Sequence, residues 1–139
     1  MKELINIMQM VLVAIIHEND KVLMIKRARE PHKNKWALPG GFGALKTEKN
    51  LIKAVKKEIY GDMGVDYSPK IYYVLQTEKP PQTLVIFHGK IKGKPFVKSS
   101  ETISEIKWFY LDKVLKTPLV FYDKNILKNF KKDFEDSLV

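Results

Sequence analysis

The sequence predicts a layered domain of the α/β or α+β class, because short apolar strands alternate along it with two amphipathic helices. A chain of 139 residues is the size of one compact domain, and we expect a single domain over residues 1–139. The composition, with 45% hydrophobic and 29% charged residues, is typical of a globular protein and excludes wholesale disorder.

The first part of the chain predicts a β-hairpin followed by a basic loop. Met10–Ile16 is a short, β-branched apolar run, which is typical of a buried strand. A turn signal at Glu18-Asn19-Asp20 separates this run from a second strand at Lys21–Lys26. The basic loop Arg27–Lys35 then leads into the segment Trp36-Ala-Leu-Pro-Gly-Gly41.

A helix is predicted at about residues 48–62, where apolar residues recur at helical spacing. Thr47 is its candidate N-cap, and Gly64 is the candidate residue just past its end. Three further strands are predicted at Ile71–Thr77, Thr83–Ile91 and Glu105–Leu111. A C-terminal amphipathic helix that covers the core is predicted from the apolar stripe of Ile126, Leu127, Phe130 and Phe134.

Residue usage excludes several classes of function. The chain has no cysteine, which excludes disulfides, thiolate zinc sites, iron–sulfur clusters and cysteine nucleophiles. Its 25 basic and 16 acidic residues give a net charge of +9, which favours anionic partners such as phosphates, nucleotides or nucleic acid. No apolar run approaches the roughly 20 residues of a membrane span. We also see no signal peptide, and therefore expect a cytoplasmic protein without membrane contact.

The segment from Leu38 to Val65 contains the candidate chemistry, a glycine loop that leads into the predicted helix. Glu58 and Asp62 are four residues apart, so both carboxylates project from one helical face beside the apolar stripe. Such a pair suits Mg²⁺, which is often held by one or two carboxylates together with substrate phosphates. The same spacing among lysines is also typical of a solvated, salt-bridged helix face.

Together with its flanks, this segment resembles the Nudix hydrolase family. The family pattern is G-x5-E-x7-R-E-U-x-E-E-x-G-U, where U is bulky and apolar. Counted back from the closing Gly64-Val65, Glu58-Ile59 falls on the E-U that follows the arginine, and Lys57 takes the place of the arginine. Gly61 and Asp62 take the places of the two adjacent glutamates.

The flanking segments extend the resemblance to about residues 8–116. Val22-Leu-Met-Ile-Lys-Arg27 and Trp36-Ala-Leu-Pro-Gly-Gly41 are similar to the family's approach to its box, and Ser104-Glu-Ile-Lys-Trp-Phe109 is similar to its last-strand segment. The resemblance implies a Nudix-like α/β/α sandwich with a mixed β-sheet.

The resemblance also implies a function: Mg²⁺- or Mn²⁺-dependent cleavage of the pyrophosphate of a nucleoside diphosphate derivative. ADP-ribose-like compounds and nucleoside triphosphates are the small-molecule substrate classes that it implies. The implied metal ligands are Glu58, Asp62 and the backbone carbonyl of Gly40. The implied catalytic residues are Glu58 and a distant carboxylate, Glu101 or Glu105, that assists the attacking water.

Three residues near the glycine loop are candidates for substrate binding. Arg27 and Arg29 would clamp a phosphate or stack on a base, although they are equally typical of surface charges on a loop. Gly41 is the third candidate.

The sequence departs from the family pattern at several positions. Gly61 stands where a metal-binding glutamate belongs. Lys49 stands at the first glutamate position, with Glu48 one residue away as its candidate substitute, and the loop after Gly41 has two extra residues. These departures favour an alternative function: a catalytically weak or inactive Nudix-fold module that binds a nucleotide.

The remaining expectations concern macromolecular partners. A nucleic-acid binder is supported by net charge alone, since no recognition motif accompanies it, so nucleic acid is not the expected partner. Many relatives are dimers, so a homodimer is the association to test, although the sequence itself does not determine the oligomeric state.

Overall fold

A computed structural model of the chain describes residues 9–120 and 122–137. Its strands are β1 (Gln9–Glu18), β2 (Lys21–Arg27), β3 (Trp36–Ala37), β4 (Gly40–Gly41), β5 (Asp66–Glu78), β6 (Pro81–Lys92) and β7 (Ile103–Tyr110). Its α-helices are α1 (Leu51–Met63), α2 (Leu111–Val114) and α3 (Asp123–Ser137), and a 3-10 turn covers Gly43–Lys46.

The strands form a mixed sheet whose two portions meet at the β1–β2 hairpin. In the first portion β1 pairs in parallel with β6, while β4 and β5 add antiparallel to β1 and β6 respectively. In the second portion β2 pairs antiparallel with β3 and β7. The β1–β2 register joins His17 to Val22 and Glu18 to Lys21, at the end of the hairpin.

A hydrophobic core lies on each side of β1, because successive side chains of a strand point to opposite faces. Leu12, Ala14 and Ile16 pack with the buried side chains of α1, whereas Val13 and Ile15 pack with those of α3. The strands are thus enclosed between two helices. This arrangement confirms the predicted α/β class and the predicted sandwich.

The predicted hairpin and C-terminal helix are confirmed, and Ile126, Leu127 and Phe130 of that helix are buried. The predicted N-cap of α1 is wrong. The cap is Asn50 rather than Thr47, because the side-chain oxygen of Asn50 accepts the backbone N–H of Lys53 at 3.0 Å.

The bounds of two later strands also differ from the expectation. β5 begins at Asp66 rather than at Ile71 and continues through Pro69. A proline is tolerated there because β5 is the last strand in the sheet order, where one side of its backbone needs no partner. β7 begins at Ile103, two residues before the predicted start at Glu105.

No helix in the described part of the chain is both long and apolar enough to cross a membrane. The expectation about a signal peptide concerns residues 1–8, which lie outside the described residues.

Candidate active site

The glycine pair of β4 brings the loop backbone against both β1 and α1. At Gly40, φ is 145° and a Cβ atom would lie 2.0 Å from the carbonyl oxygen of Leu12. At Gly41, φ is 153° and a Cβ atom would lie 3.1 Å from Oε2 of Glu58. A side chain is therefore excluded at Gly40 and would be strained at Gly41. The glycine pair thus lets the loop backbone lie close to the Glu58 carboxylate of α1.

Glu58 is a half-buried residue of α1 that anchors the loop after the glycine pair. Its Oε1 accepts the backbone N–H of Ala44, at the start of the 3-10 turn, at 2.6 Å. A short hydrogen bond to a carboxylate is of the stronger, charge-assisted kind. One oxygen of Glu58 is thus held by the loop, while Oε2 faces Gly41.

Asp62 lies one turn further along α1 in an environment that disfavours its negative charge. Burial is the largest cause, followed by the negative charges of Glu58 and Glu101, and together they raise the pKa of Asp62 to about 7. The negative charges of Glu58 and Glu101 therefore both act on Asp62 at this end of the helix. A divalent cation bound here would relieve that repulsion.

The structure separates the two candidates for the distant carboxylate. Glu101 lies in the segment between β6 and β7, close enough for its charge to raise the pKa of Asp62. Glu105 lies on β7 opposite Lys26, and its Oε2 is 3.9 Å from the Lys26 ammonium. Of the two candidates, Glu101 is therefore the one whose charge acts on Asp62, whereas Glu105 lies beside Lys26.

The departures from the family pattern have visible consequences. At Gly61 no atom lies within 4 Å of where a Cβ would be, so the structure leaves open space at the missing glutamate. Lys57, at the arginine position, has its ammonium 3.9 Å from Oε1 of Glu48. Lys49 instead donates from its ammonium to the carbonyl of Leu45 at 2.8 Å.

A cavity of about 420 Å³ opens beside the glycine pair. Gly40 and Gly41 line it together with Arg27, and a Cβ atom built at Gly41 would lie 3.1 Å from Oε2 of Glu58, so the cavity adjoins Glu58. Arg27 donates from Nε to the carbonyl of Pro31 at 2.7 Å. Arg29 is exposed on the same loop, and burial together with the charge of Arg29 lowers the pKa of Arg27.

Sequence reasoning missed several residues of the cavity, among them Phe42, Tyr122 and Asp123. Asp123 is buried, accepts the backbone N–H of Leu38 at 2.8 Å, and has its pKa raised to about 7 by burial. The hydrogen bond from Leu38 and the charge of Arg27 act in the opposite direction. The sequence signal for Asp123 was weak, because an aspartate at a helix start is usually an ordinary cap.

The acidic side chains on α1 offer oxygen donors for a cation. Within residues 9–120 and 122–137, no group of three or more histidine, aspartate or glutamate side chains is arranged to hold a metal ion. The donors that the acidic pair offers are the carboxylate oxygens of Glu58 and Asp62. Oxygen ligands suit Mg²⁺, which keeps several waters and shares substrate phosphates. The residues therefore fit one such cation, completed by water and substrate, and not a protein-enclosed cluster.

The fold defines a class of protein that a family comparison also identifies. A family model described as the NUDIX domain matches residues 8–130, and the chain belongs to the Nudix family. The crystal structure of a MutT NUDIX hydrolase from Burkholderia pseudomallei superposes with a TM-score of 0.73 at 23% identity, covering 87% of this chain and 96% of that one.

Three individual relatives share the fold or the sequence. The chain is 26% identical over 113 residues to the ADPR responsive transcriptional repressor NtrR of Acinetobacter baylyi, covering 78% of this chain and 45% of the repressor. It is 29% identical over 124 residues to an ADP-ribose pyrophosphatase of Methanocaldococcus jannaschii, covering 84% of this chain and 69% of that enzyme. The NUDIX domain of Shewanella oneidensis NrtR, solved with ADP ribose, superposes with a TM-score of 0.78 at 19% identity, covering 91% and 88%. The chain therefore spans less than half of the Acinetobacter repressor.

Proposed function

We propose that this chain hydrolyses the pyrophosphate bond of a nucleoside diphosphate derivative, with Mg²⁺ or Mn²⁺ as its cofactor. The observation that carries the proposal is the pair of carboxylates of Glu58 and Asp62 on α1, with Glu58 held against the glycine loop that lines a cavity together with Arg27. Negative side chains that hold a cation and a positive side chain at the cavity wall are both suited to a diphosphate.

ADP-ribose-like compounds are the first substrate class to test. The cavity of about 420 Å³ is within the usual size range of small-molecule sites, and it is lined mainly by apolar residues with a few polar groups. Phe42, which is 45% exposed, offers a ring at the cavity for stacking on a base. Two relatives support this choice: one is described as an ADPR responsive repressor and the other as an ADP-ribose pyrophosphatase.

In the proposed mechanism Glu58, Asp62 and the carbonyl of Gly40 would hold the cation. When bound, the cation would neutralise phosphate charge and make the attacking water more acidic. Glu101, the exposed member of the cluster, accepts the proton of the attacking water. The oxygen of that water bonds to one phosphorus, the bridging P–O bond breaks, and two phosphomonoesters leave. Arg27 orients the diphosphate from the cavity side.

A second candidate function is a nucleotide-binding module with little or no turnover. Gly61 favours it, because the missing carboxylate leaves Glu58 and Asp62 as the acidic ligands on α1. The binding cavity does not depend on that position. The chain would then bind an ADP-ribose-like ligand, with Arg27 and Phe42 in the same roles.

One assay distinguishes the two functions. ADP-ribose, nucleoside triphosphates and dinucleoside polyphosphates are incubated with the protein and Mg²⁺, Mn²⁺ or EDTA, and products are followed by ³¹P NMR. We expect AMP and ribose 5-phosphate from ADP-ribose in the presence of metal, with a loss of about 100-fold or more in Glu58→Gln. Glu18→Gln, at the exposed end of β1, is the matched control and should retain full activity.

Calorimetric titration with ADP-ribose completes the assay. Binding without products under every metal condition would support the module instead of the enzyme. Turnover that survives in Glu58→Gln, or the absence of both binding and products, would refute the proposed site.

A further inference from the structure

We infer that Ser99 is a positioning residue that fixes Asp62 and Glu101 relative to each other. The inference rests on the proposed function, since it concerns how the same acidic cluster is held. Ser99 lies in the segment between β6 and β7, and it is half-buried against the C-terminal end of α1.

The last carbonyls of α1 need partners from outside the helix, because no further helical N–H follows them. The structure supplies one for each. Gly64 N–H donates to Tyr60 within the cap, and the segment ahead of β7 serves the other three carbonyls. Its donors are Ser99 Oγ to Gly61 at 2.9 Å, Lys98 N–H to Asp62 at 3.0 Å and Phe96 N–H to Met63 at 3.1 Å.

Ser99 is the side-chain donor of this set, and its acceptor is Gly61. A glycine inside a helix weakens it by about 1 kcal/mol relative to alanine, because its backbone has more freedom to lose. Gly61 immediately precedes Asp62. A hydrogen bond to the carbonyl of Gly61 therefore restrains the turn of α1 at the place where the sequence makes it least rigid.

The backbone of Ser99 also organises the turn that carries Glu101. Its carbonyl oxygen accepts the N–H of Thr102 at 3.1 Å, the hydroxyl of Thr102 at 3.2 Å and the N–H of Ile103 at 3.0 Å. Glu101 lies within that turn. One residue thus binds the helix end through its side chain and the turn through its carbonyl, and it links the backbone segments that carry Asp62 and Glu101.

The test compares Ser99→Ala with the isosteric pair Ser99→Thr and Ser99→Val. Valine has a methyl group where threonine has the hydroxyl. Ser104→Ala is the matched control, since the Ser104 hydroxyl also donates to a backbone carbonyl, that of Lys26, at 3.4 Å. Mn²⁺ affinity is measured by electron paramagnetic resonance titration. Amide hydrogen exchange is measured at Lys98, whose N–H bonds to Asp62.

Removing the hydroxyl should weaken Mn²⁺ binding about fivefold and speed exchange at Lys98 about fivefold, which is the loss of one neutral hydrogen bond. Ser99→Thr should restore both values, whereas Ser99→Val should behave like Ser99→Ala. With ADP-ribose as substrate, kcat should fall while KM stays within twofold or so, because the cavity is not touched.

The outcomes separate this inference from the proposed function. If the wild-type chain binds no Mn²⁺, the proposed function fails and the role of Ser99 fails with it. If the wild type binds Mn²⁺ and Ser99→Ala or Ser99→Val binds it equally well, the positioning role alone is overturned. Equal effects of Ser99→Val and Ser99→Thr would also overturn it, because the hydroxyl would then have no role.

Discussion

Replacing Gly61 by glutamate restores the carboxylate that the family pattern has at this position. The substitution meets no steric obstacle, since no atom lies within 4 Å of the new Cβ. It should raise the affinity for Mg²⁺ by about tenfold, equivalent to about 1.4 kcal/mol, because a third helical carboxylate joins Glu58 and Asp62. Turnover of ADP-ribose should rise with it.

The effect of Gly61→Glu on stability should change sign with the metal. Helix propensity favours the substitution by about 0.5 kcal/mol. Repulsion from Glu58, three residues earlier, opposes it by about 0.2–0.5 kcal/mol, and the partly buried Asp62 adds to that repulsion. The free energy of unfolding should therefore be unchanged or lower in EDTA, and higher than that of the wild type in Mg²⁺.

Two controls separate propensity from charge. Gly61→Ala should stabilise the protein by about 1 kcal/mol with or without Mg²⁺, and Gly61→Gln matches the size of glutamate without its charge. Urea unfolding and calorimetric Mg²⁺ titration measure both quantities. Equal Mg²⁺ affinity in Gly61→Glu and Gly61→Gln would refute the reasoning that α1 is a metal-binding helix deprived of one ligand.

Three further predictions concern the acidic groups. Glu101→Gln should lower kcat by about 10²-fold or more, whereas Glu105→Gln should have a much smaller effect; steady-state kinetics that reverse this order would contradict the assignment of the water-activating carboxylate. Because the pKa of Asp62 is raised to about 7, protons compete with the cation for its carboxylate. The Mg²⁺ affinity measured by calorimetry should therefore fall by up to about tenfold per pH unit below 7. An Mg²⁺ affinity that stays constant from pH 8 to 6 would contradict this prediction. Because the pKa of Asp123 is raised, its ionisation destabilises the fold as pH rises from about 4 towards 7. In urea unfolding, Asp123→Asn should therefore be more stable than the wild type at pH 8 but not at pH 5. The same difference in stability at both pH values would contradict this prediction.

Local patterns predicted most of the architecture. The continuous apolar run of β1 matches a strand that is buried on both faces, and the apolar stripe of α3 matches the face of that helix that is buried. The helix start was wrong because several polar residues precede α1, and only the hydrogen bond from Lys53 to the Asn50 side chain distinguishes the cap. The early start of β5 was not predicted because Pro69 reads as a break unless the edge position of the strand is known.

The candidate site was predictable where its residues share one helix, and less so where the fold assembles it. The spacing of Glu58 and Asp62 shows that they share a face. Choosing Glu101 over Glu105 required the path of the segment before β7, which sequence spacing does not give. Asp123 joins the cavity from the start of α3 only because that helix packs beside Leu38, a contact between residues far apart in sequence.

Anomalous diffraction from crystals soaked with Mn²⁺ and a non-hydrolysable ADP-ribose analogue would locate both the cation and the diphosphate. We expect a manganese peak within coordinating distance of oxygens from both Glu58 and Asp62, with the diphosphate of the analogue as a further ligand and its base in the cavity beside Phe42. A diphosphate bound in that cavity without manganese at these two side chains, or manganese bound elsewhere on the protein, would contradict it.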